Sequence, residues 1–269
     1  MKPIPCYQVD AFTDQPFAGN SAAVCVLEAE GDSHWMQQVA TEMNLSETAF
    51  LRRLPSEGET DWELRWFTPA YEVDLCGHAT LASAHALWDQ DYVPSDSAIR
   101  FHTRSGVLTT RRKGTRIEMD FPNVPVTAAE PPEGLLEALG AKPVYTGQTS
   151  SDRFLVLVSE AEVLALQPDF RKLRAVDMRG VMVTAPAENS ESYDFVSRFF
   201  APQAGIDEDP VTGSAHCSLG PYWAEKLGKN PVTGFQASAR GGVVEITVED
   251  TRVTLGGDAV TIWRGELLR

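Results

Sequence analysis

Cys76-Gly77-His78-Ala79 and, 136 residues on, Thr212-Gly213-Ser214-Ala215 decide how this chain is read. Each opens a stretch rich in small residues, His78 to Trp88 and Ser214 to Leu227. At the same offset Gly106-Val107 matches Gly242-Val243, and Thr115-Arg116-Ile117 matches Thr251-Arg252-Val253. Upstream, Arg65-Trp66-Phe67-Thr68-Pro69 echoes Arg198-Phe199-Phe200-Ala201-Pro202 with a three-residue slip. One register held across a strand, a turn, a helix start and a hairpin implies two copies of one α+β unit. Two copies are too few for a stacked array, which needs three or more. We place an N-terminal domain at 1–122, joined by a C-terminal strand at 258–269, and a C-terminal domain at 123–257.

The chain has 269 residues, enough for one large domain or two small ones, and it needs no staples to fold. Its 38 acidic and 23 basic residues leave a net charge of −15. That balance argues against a nucleic-acid binder, which neutralises phosphates with Lys and Arg, and against an anionic membrane surface. The first ten residues have no apolar core of signal-peptide length, and no apolar run approaches a membrane span. The four cysteines, Cys6, Cys25, Cys76 and Cys217, are too few and scattered for a disulfide framework, and no C-x-x-C pair exists. We expect a reduced, cytoplasmic protein.

Strand signals dominate: Ala22–Leu27, Thr48–Leu51, Arg100–Thr103 and Gly106–Thr110. Lys113-Gly114 reads as a hairpin turn into Thr115–Met119, stopped by Pro122. Later strands are Phe154–Val158, Val181–Thr184 and Tyr193–Val196, then a hairpin from Gly242–Val248 to Thr251–Leu255. Ser33 reads as the N-cap of a helix over His34–Met43, with Asn44 as its stop. A short helix at Glu133–Leu139 ends at Gly140, and another at 161–175 breaks at Pro168. The two helices that follow the repeated glycines carry no charged face, so other structure encloses them. In the second, Pro221 reads as an interruption.

Chemistry gathers at the repeated starts. A strand running through a Gly into a helix leaves free N–H groups and the positive end of the helix dipole, which bind anions. Gly77 or Gly213 alone reads as a tight turn; the symmetric pair reads as a carboxylate site. Glu72, Asp74, Cys76 and His78 surround the first start, and Asp207, Glu208 and Asp209 the second. A carboxylate before a helix is ordinarily a cap, and a single His ordinarily structural. Glu47 stands between a helix end and an apolar strand, with no basic residue beside it in sequence, so we expect a desolvated carboxyl suited to acid–base work. Cys76, His78, His216 and Cys217 lack the spacing of a metal site, and none is expected. Walker, Gly-x-Gly-x-x-Gly and Gly-x-Ser-x-Gly motifs are absent from the sequence.

Four segments together resemble the PhzF, or phenazine-biosynthesis-like, family of the diaminopimelate epimerase-like superfamily. They are Val9–Val24, Leu45–Phe50, Arg65–Thr80 and Phe199–His216. The resemblance implies two similar domains, each a curved, mostly antiparallel sheet or barrel wrapped around a central helix, with the active site in the cleft between them. It further implies a cofactor-free isomerase, a homodimer and a small carboxylate-bearing substrate, a dihydro-3-hydroxyanthranilate in the phenazine enzyme itself. On that resemblance Glu47 moves the proton, with His78 and Asp209 as the other catalytic groups. Asn20, Cys76, Gly77, Thr212, Gly213 and Ser214 then bind the substrate.

Two positions depart from the wider pattern. Racemases of the superfamily oppose two cysteines, but here the second position is Thr212, whose hydroxyl is far too weak an acid to replace a thiol. The usual Gly-Asn-Pro reads Gly19-Asn20-Ser21. Two other readings stay open: a non-catalytic carboxylate binder, and an epimerase pairing Cys76 with a different second base.

Overall fold

A computed structural model describes residues 3–55, 57, 60–188 and 191–268. The chain divides into two compact units: Met1–Phe121 with Thr254–Arg269, and Pro122–Val253.

Unit 1 begins with β1 (Ile4–Ala11) antiparallel to β2 (Asn20–Leu27). Every residue of β2 is buried, as expected of an apolar strand covered on both faces. The helix α1 (Ser33–Met43) then carries the chain over to β3 (Glu47–Arg53), parallel to β2. The N-cap of α1 is Asp32, not Ser33: an Asp32 carboxylate oxygen accepts from the Trp35 N–H, while the Ser33 hydroxyl accepts from Arg65. Asn44 ends the helix in the left-handed conformation, as its sequence suggests.

From β3 the chain turns back into β4 (Asp61–Phe67), antiparallel, and the short β5 (Glu72–Val73). The central helix α2 (Gly77–Asp89) follows, then β6 (Ile99–Thr103), parallel to β4, and the meander β7 (Gly106–Lys113) and β8 (Arg116–Pro122). Of α2, all residues from His78 to Trp88 except His85 are buried, against β1, β2 and β3. Its two hydroxyls cause no penalty there, because Thr80 and Ser83 each donate to the carbonyl four residues back.

Unit 2 starts with β9 (Thr127–Ala128), α3 (Leu135–Leu139), β10 (Tyr145–Gln148) and β11 (Asp152–Val156). The 161–175 segment forms two short helices, α4 (Glu160–Ala165) and α5 (Phe170–Leu173), separated around Pro168. Strand β12 (Gly180–Pro186) lies parallel to β11, and β13 (Phe195–Ala201) lies antiparallel to β12. Then come β14 (Ile206–Asp209), α6 (Gly213–Leu227), β15 (Val232–Gln236) parallel to β13, and β16 (Gly242–Glu249). Strand β17 (Arg252–Gly257) runs across the unit boundary, and β18 (Ala259–Leu267) completes unit 1, antiparallel to β1.

Both units therefore thread one pattern: a parallel pair, an antiparallel return, a two-to-four-residue strand, a central helix, a parallel strand and an antiparallel neighbour. Even the clamps recur. Arg65 of β4 grips Glu72 of β5 with two hydrogen bonds, 2.7 and 2.8 Å, and Arg198 of β13 grips Glu208 of β14 at 2.7 and 2.9 Å. Each guanidinium also lies over a phenylalanine ring two residues further along its strand, Phe67 or Phe200. Such paired, planar hydrogen bonding suits Arg and carboxylate geometry.

Pro221 does not interrupt α6, which runs unbroken from Gly213 to Leu227. A proline cannot bond the carbonyl four residues back, here that of Cys217. The Val124 N–H supplies the missing donor to that oxygen at 3.1 Å. Among the described residues, no helix is long and apolar enough to cross a membrane.

Candidate active site

Unit 1 brings four of the expected residues together. Asn20 is the first residue of β2 and Glu47 the first of β3, and the parallel pairing sets Glu47 beside Ala22. His78 is the second residue of α2, whose packing on β2 and β3 presents its imidazole to both. Its Nε2 lies 3.0 Å from Glu47 Oε2. On the opposite edge of the ring, Nδ1 faces the Asn20 side-chain amide at 3.2 Å and the Cys76 sulfur at 3.6 Å. Asn20, Cys76 and His78 are buried, and the Glu47 side chain is only 13% exposed.

Glu47 thus has a basic neighbour, contrary to the sequence expectation. The partner comes from a helix 31 positions later in the chain and was invisible to a local reading. The turn that leads into Asn20 is tight: Gly19 has φ +62°, and a Cβ there would fall 2.2 Å from the Ala11 carbonyl oxygen. The buried Asp10 accepts from the Phe17 N–H at 2.8 Å and steadies the same loop.

Burial by itself disfavours the charged imidazole. The neighbouring Cys76 and Glu47 outweigh it and hold the His78 pKa well above the usual range. Burial first, then the Glu47 charge, push the Cys76 thiol up against the weaker opposing pull of His78. Helix α2 begins after Cys76, which makes no side-chain capping bond, so the first turn of the helix points its N–H groups and dipole toward this cluster.

Among the described residues, Glu47, Cys76 and His78 form a group whose ligand atoms lie within 4.8 Å of one another. Their arrangement fits a single metal ion poorly. An ion takes one ring nitrogen at about 2.0–2.1 Å, whereas His78 turns Nε2 to the carboxylate and Nδ1 to the thiol. His78 instead stands between the carboxylate and the thiol, one ring nitrogen toward each.

Unit 2 holds the other expected residues. Asp209 ends β14, and its Oδ2 accepts from the Thr212 hydroxyl at 2.5 Å. The carboxylate therefore binds the side chain of the N-cap residue of α6, Thr212, which itself makes no side-chain capping bond. Gly213 is buried and Ser214 is exposed at the helix start. His216 donates from Nδ1 to the Thr212 carbonyl at 2.8 Å, and burial lowers its pKa to about 4, so it is a neutral structural residue.

Sequence reasoning missed Gln236. This fully buried side chain ends β15; its Oε1 accepts from the Thr212 N–H at 2.8 Å, and its Nε2 donates to the Asp209 carbonyl at 2.8 Å and to the Thr212 hydroxyl at 3.1 Å. Nothing around Gln236 in the sequence signals this, because the contact depends on β15 lying parallel to β13.

The family model for phenazine biosynthesis-like proteins (PhzC-PhzF) matches residues 9–265. A protein of Halalkalibacterium halodurans named as an uncharacterized isomerase is 51% identical over the whole of both chains. The crystal structure of a PhzF-family phenazine biosynthesis protein from Enterococcus faecalis superposes with a TM-score of 0.92 at 40% identity, covering 100% of each chain. A probable proline racemase from Agrobacterium radiobacter, covering 98% of this chain and 93% of its own, gives a TM-score of 0.65 at 11% identity; it shares the α+β fold.

Proposed function

Because the chain belongs to the phenazine biosynthesis-like (PhzC-PhzF) family, we propose that it is an isomerase that moves a proton within a small carboxylate-bearing substrate. The observation that carries this reading is the Glu47–His78 contact of 3.0 Å, in a buried cluster at a helix start.

Glu47 takes a proton from a substrate carbon as the C–H electron pair enters the substrate's conjugated system. It then returns that proton to a different carbon as the electron pair closes there. Between the two transfers Glu47 is neutral, and His78, with Nε2 3.0 Å from Oε2, orients its carboxyl group. The N–H groups opening α2 attract the substrate's anionic group, as helix starts do. Asp209, fixed by Thr212 and Gln236, is the second carboxylate of the reading, with Gly213 and Ser214 as binding groups. The reaction asks for no redox step and no cofactor. A homodimer belongs to the same proposal, and sedimentation equilibrium on the purified chain tests it.

The test is carbon-bound proton exchange in D2O with small cyclic carboxylates, beginning with dihydro-3-hydroxyanthranilate. Positioned acid–base groups contribute about 10²–10⁴-fold, so Glu47→Gln should slow exchange by that order. Exchange at the wild-type rate in the variant would end the role given to Glu47.

One observation favours a second reading. The Cys76 sulfur lies 3.6 Å from His78 Nδ1, which suits a thiol acid in an epimerase with Glu47 as the opposing base. Retained activity in Cys76→Ser removes this reading and leaves the first intact.

A further inference from the structure

Cys6 and Cys25 stand 19 residues apart in sequence, yet they face each other directly across the β1–β2 ladder of unit 1. Opposed residues of antiparallel strands have Cα atoms about 4.5–5.5 Å apart, within the roughly 4.4–6.8 Å that a disulfide spans. Their side chains leave the sheet on the same face. The two sulfurs lie 2.7 Å apart, within roughly 0.7 Å of the bonded distance. Both are free thiols, 1% and 0% exposed, in a cluster with Ile4, Leu27, Met36 and Phe50. Neither has any part in the proton chemistry around Glu47.

We propose that Cys6 and Cys25 form a modification site, which a small peroxide closes into a cross-strand disulfide. One thiolate attacks a peroxide oxygen, giving a sulfenic acid and releasing hydroxide. The second thiol then attacks that sulfur; the S–S bond forms as the S–O bond breaks, and water leaves. Two thiols are oxidised, two hydrogens are lost from the protein, and the peroxide is reduced to two waters. The strand register already supplies the geometry, so closure requires only a small side-chain adjustment.

The other two cysteines serve as internal controls. The Cys76 sulfur faces His78, and the Cys217 thiol donates to the Gly213 carbonyl. Burial pushes the Cys217 thiol up to about 12. The proton shared with Cys6, then burial, also holds the Cys25 thiol well above its ordinary range. Closure should therefore be slow near neutrality and faster as pH rises, because the thiolate is the attacking form.

The test uses the reduced full-length chain, hydrogen peroxide and a maleimide that blocks remaining thiols after unfolding. Wild type should lose two hydrogens in mass and take up two maleimides where the reduced chain takes up four. Cleavage at Asp10 and Asp14, between the two cysteines, should leave the Cys6 and Cys25 peptides joined until a dithiol is added. The melting temperature should rise by about 5–10 °C, and Cys6→Ser or Cys25→Ser should abolish both effects. Four maleimides after oxidation, or oxidation products confined to Cys76 and Cys217, overturn the proposal. The wild-type peptide map decides the matter even where a serine variant fails to fold.

Discussion

In unit 1, His78 Nε2 sits 3.0 Å from Glu47 Oε2, joining a helix start to a strand start in a buried acid–base pair. Burial works to lower the imidazole pKa; Cys76 and Glu47 raise it beyond that effect. In Glu47→Gln the carboxylate charge is gone and the His78 pKa should fall. NMR titration of the imidazole resonances checks this, and an unchanged His78 titration would contradict it. The linkage has a definite sign. A histidine whose folded pKa is raised stabilises the fold below its unfolded pKa, and that contribution is lost as pH rises through the folded value. Glu47→Gln should therefore remove stability preferentially on the acid side.

The Asp209–Thr212 turn depends on Gln236, which receives or donates three hydrogen bonds in unit 2. Gln236→Ala leaves the buried Thr212 N–H without that acceptor. An orphaned buried polar group costs about 1–3 kcal/mol. Urea unfolding should show a loss of that order, and a midpoint equal to wild type would refute the role.

His216 gives a pH dependence of the opposite sense. Burial lowers its folded pKa to about 4, against an ordinary 6.5. Between these values the unfolded chain binds the extra proton, so stability falls as pH falls through the window. At about 1.36 kcal/mol per pH unit, the full effect is about 3 kcal/mol. His216→Asn keeps an N–H donor but does not titrate. Its unfolding free energy should depend less on pH between about 4 and 6.5 than that of wild type; parallel curves would argue against His216 as the source.

Gly19→Ala tests the turn before Asn20. The backbone there has φ +62°, and the new methyl group would meet the Ala11 carbonyl oxygen at 2.2 Å. Strain of about 1–3 kcal/mol is expected. Gly106→Ala is the comparison: φ is +100°, but no atom lies within 4 Å of the added Cβ, so it carries conformational strain without the clash. Calorimetric melting of the two variants should show the larger loss at residue 19.

Much of the architecture is written locally. The apolar run at Ala22–Leu27, the Asn44 stop and the small-residue helices follow from periodicity and turn chemistry, and the 136-residue offset exposes a repeat that recurs down to the Arg–Glu clamps. Two departures share one cause: Val124 satisfies the carbonyl freed by Pro221, and His78 reaches Glu47, because other parts of the chain supply the partner. The shift of the α1 cap from Ser33 to Asp32 is a local one-residue change. Gln236 and the Cys6–Cys25 pair likewise depend on strand register, which local composition leaves open.

The strand registers also show what each copy has become. Thr48 pairs with Phe67 in the first, and Val181 with Phe200 in the second, so Gly180 occupies the place of Glu47. A Cβ at Gly180 would strike the Phe199 ring at 2.5 Å. Thr212 and Ser214 likewise stand where Cys76 and His78 do. The Glu47–His78 pair therefore has no counterpart in unit 2, where Gly180 and Ser214 hold those two places. A carboxylate introduced at residue 180 would first have to displace the Phe199 ring. The repeat is thus shared in the scaffold and differs in its acid–base groups, Glu47 with His78 in one unit and Asp209 in the other.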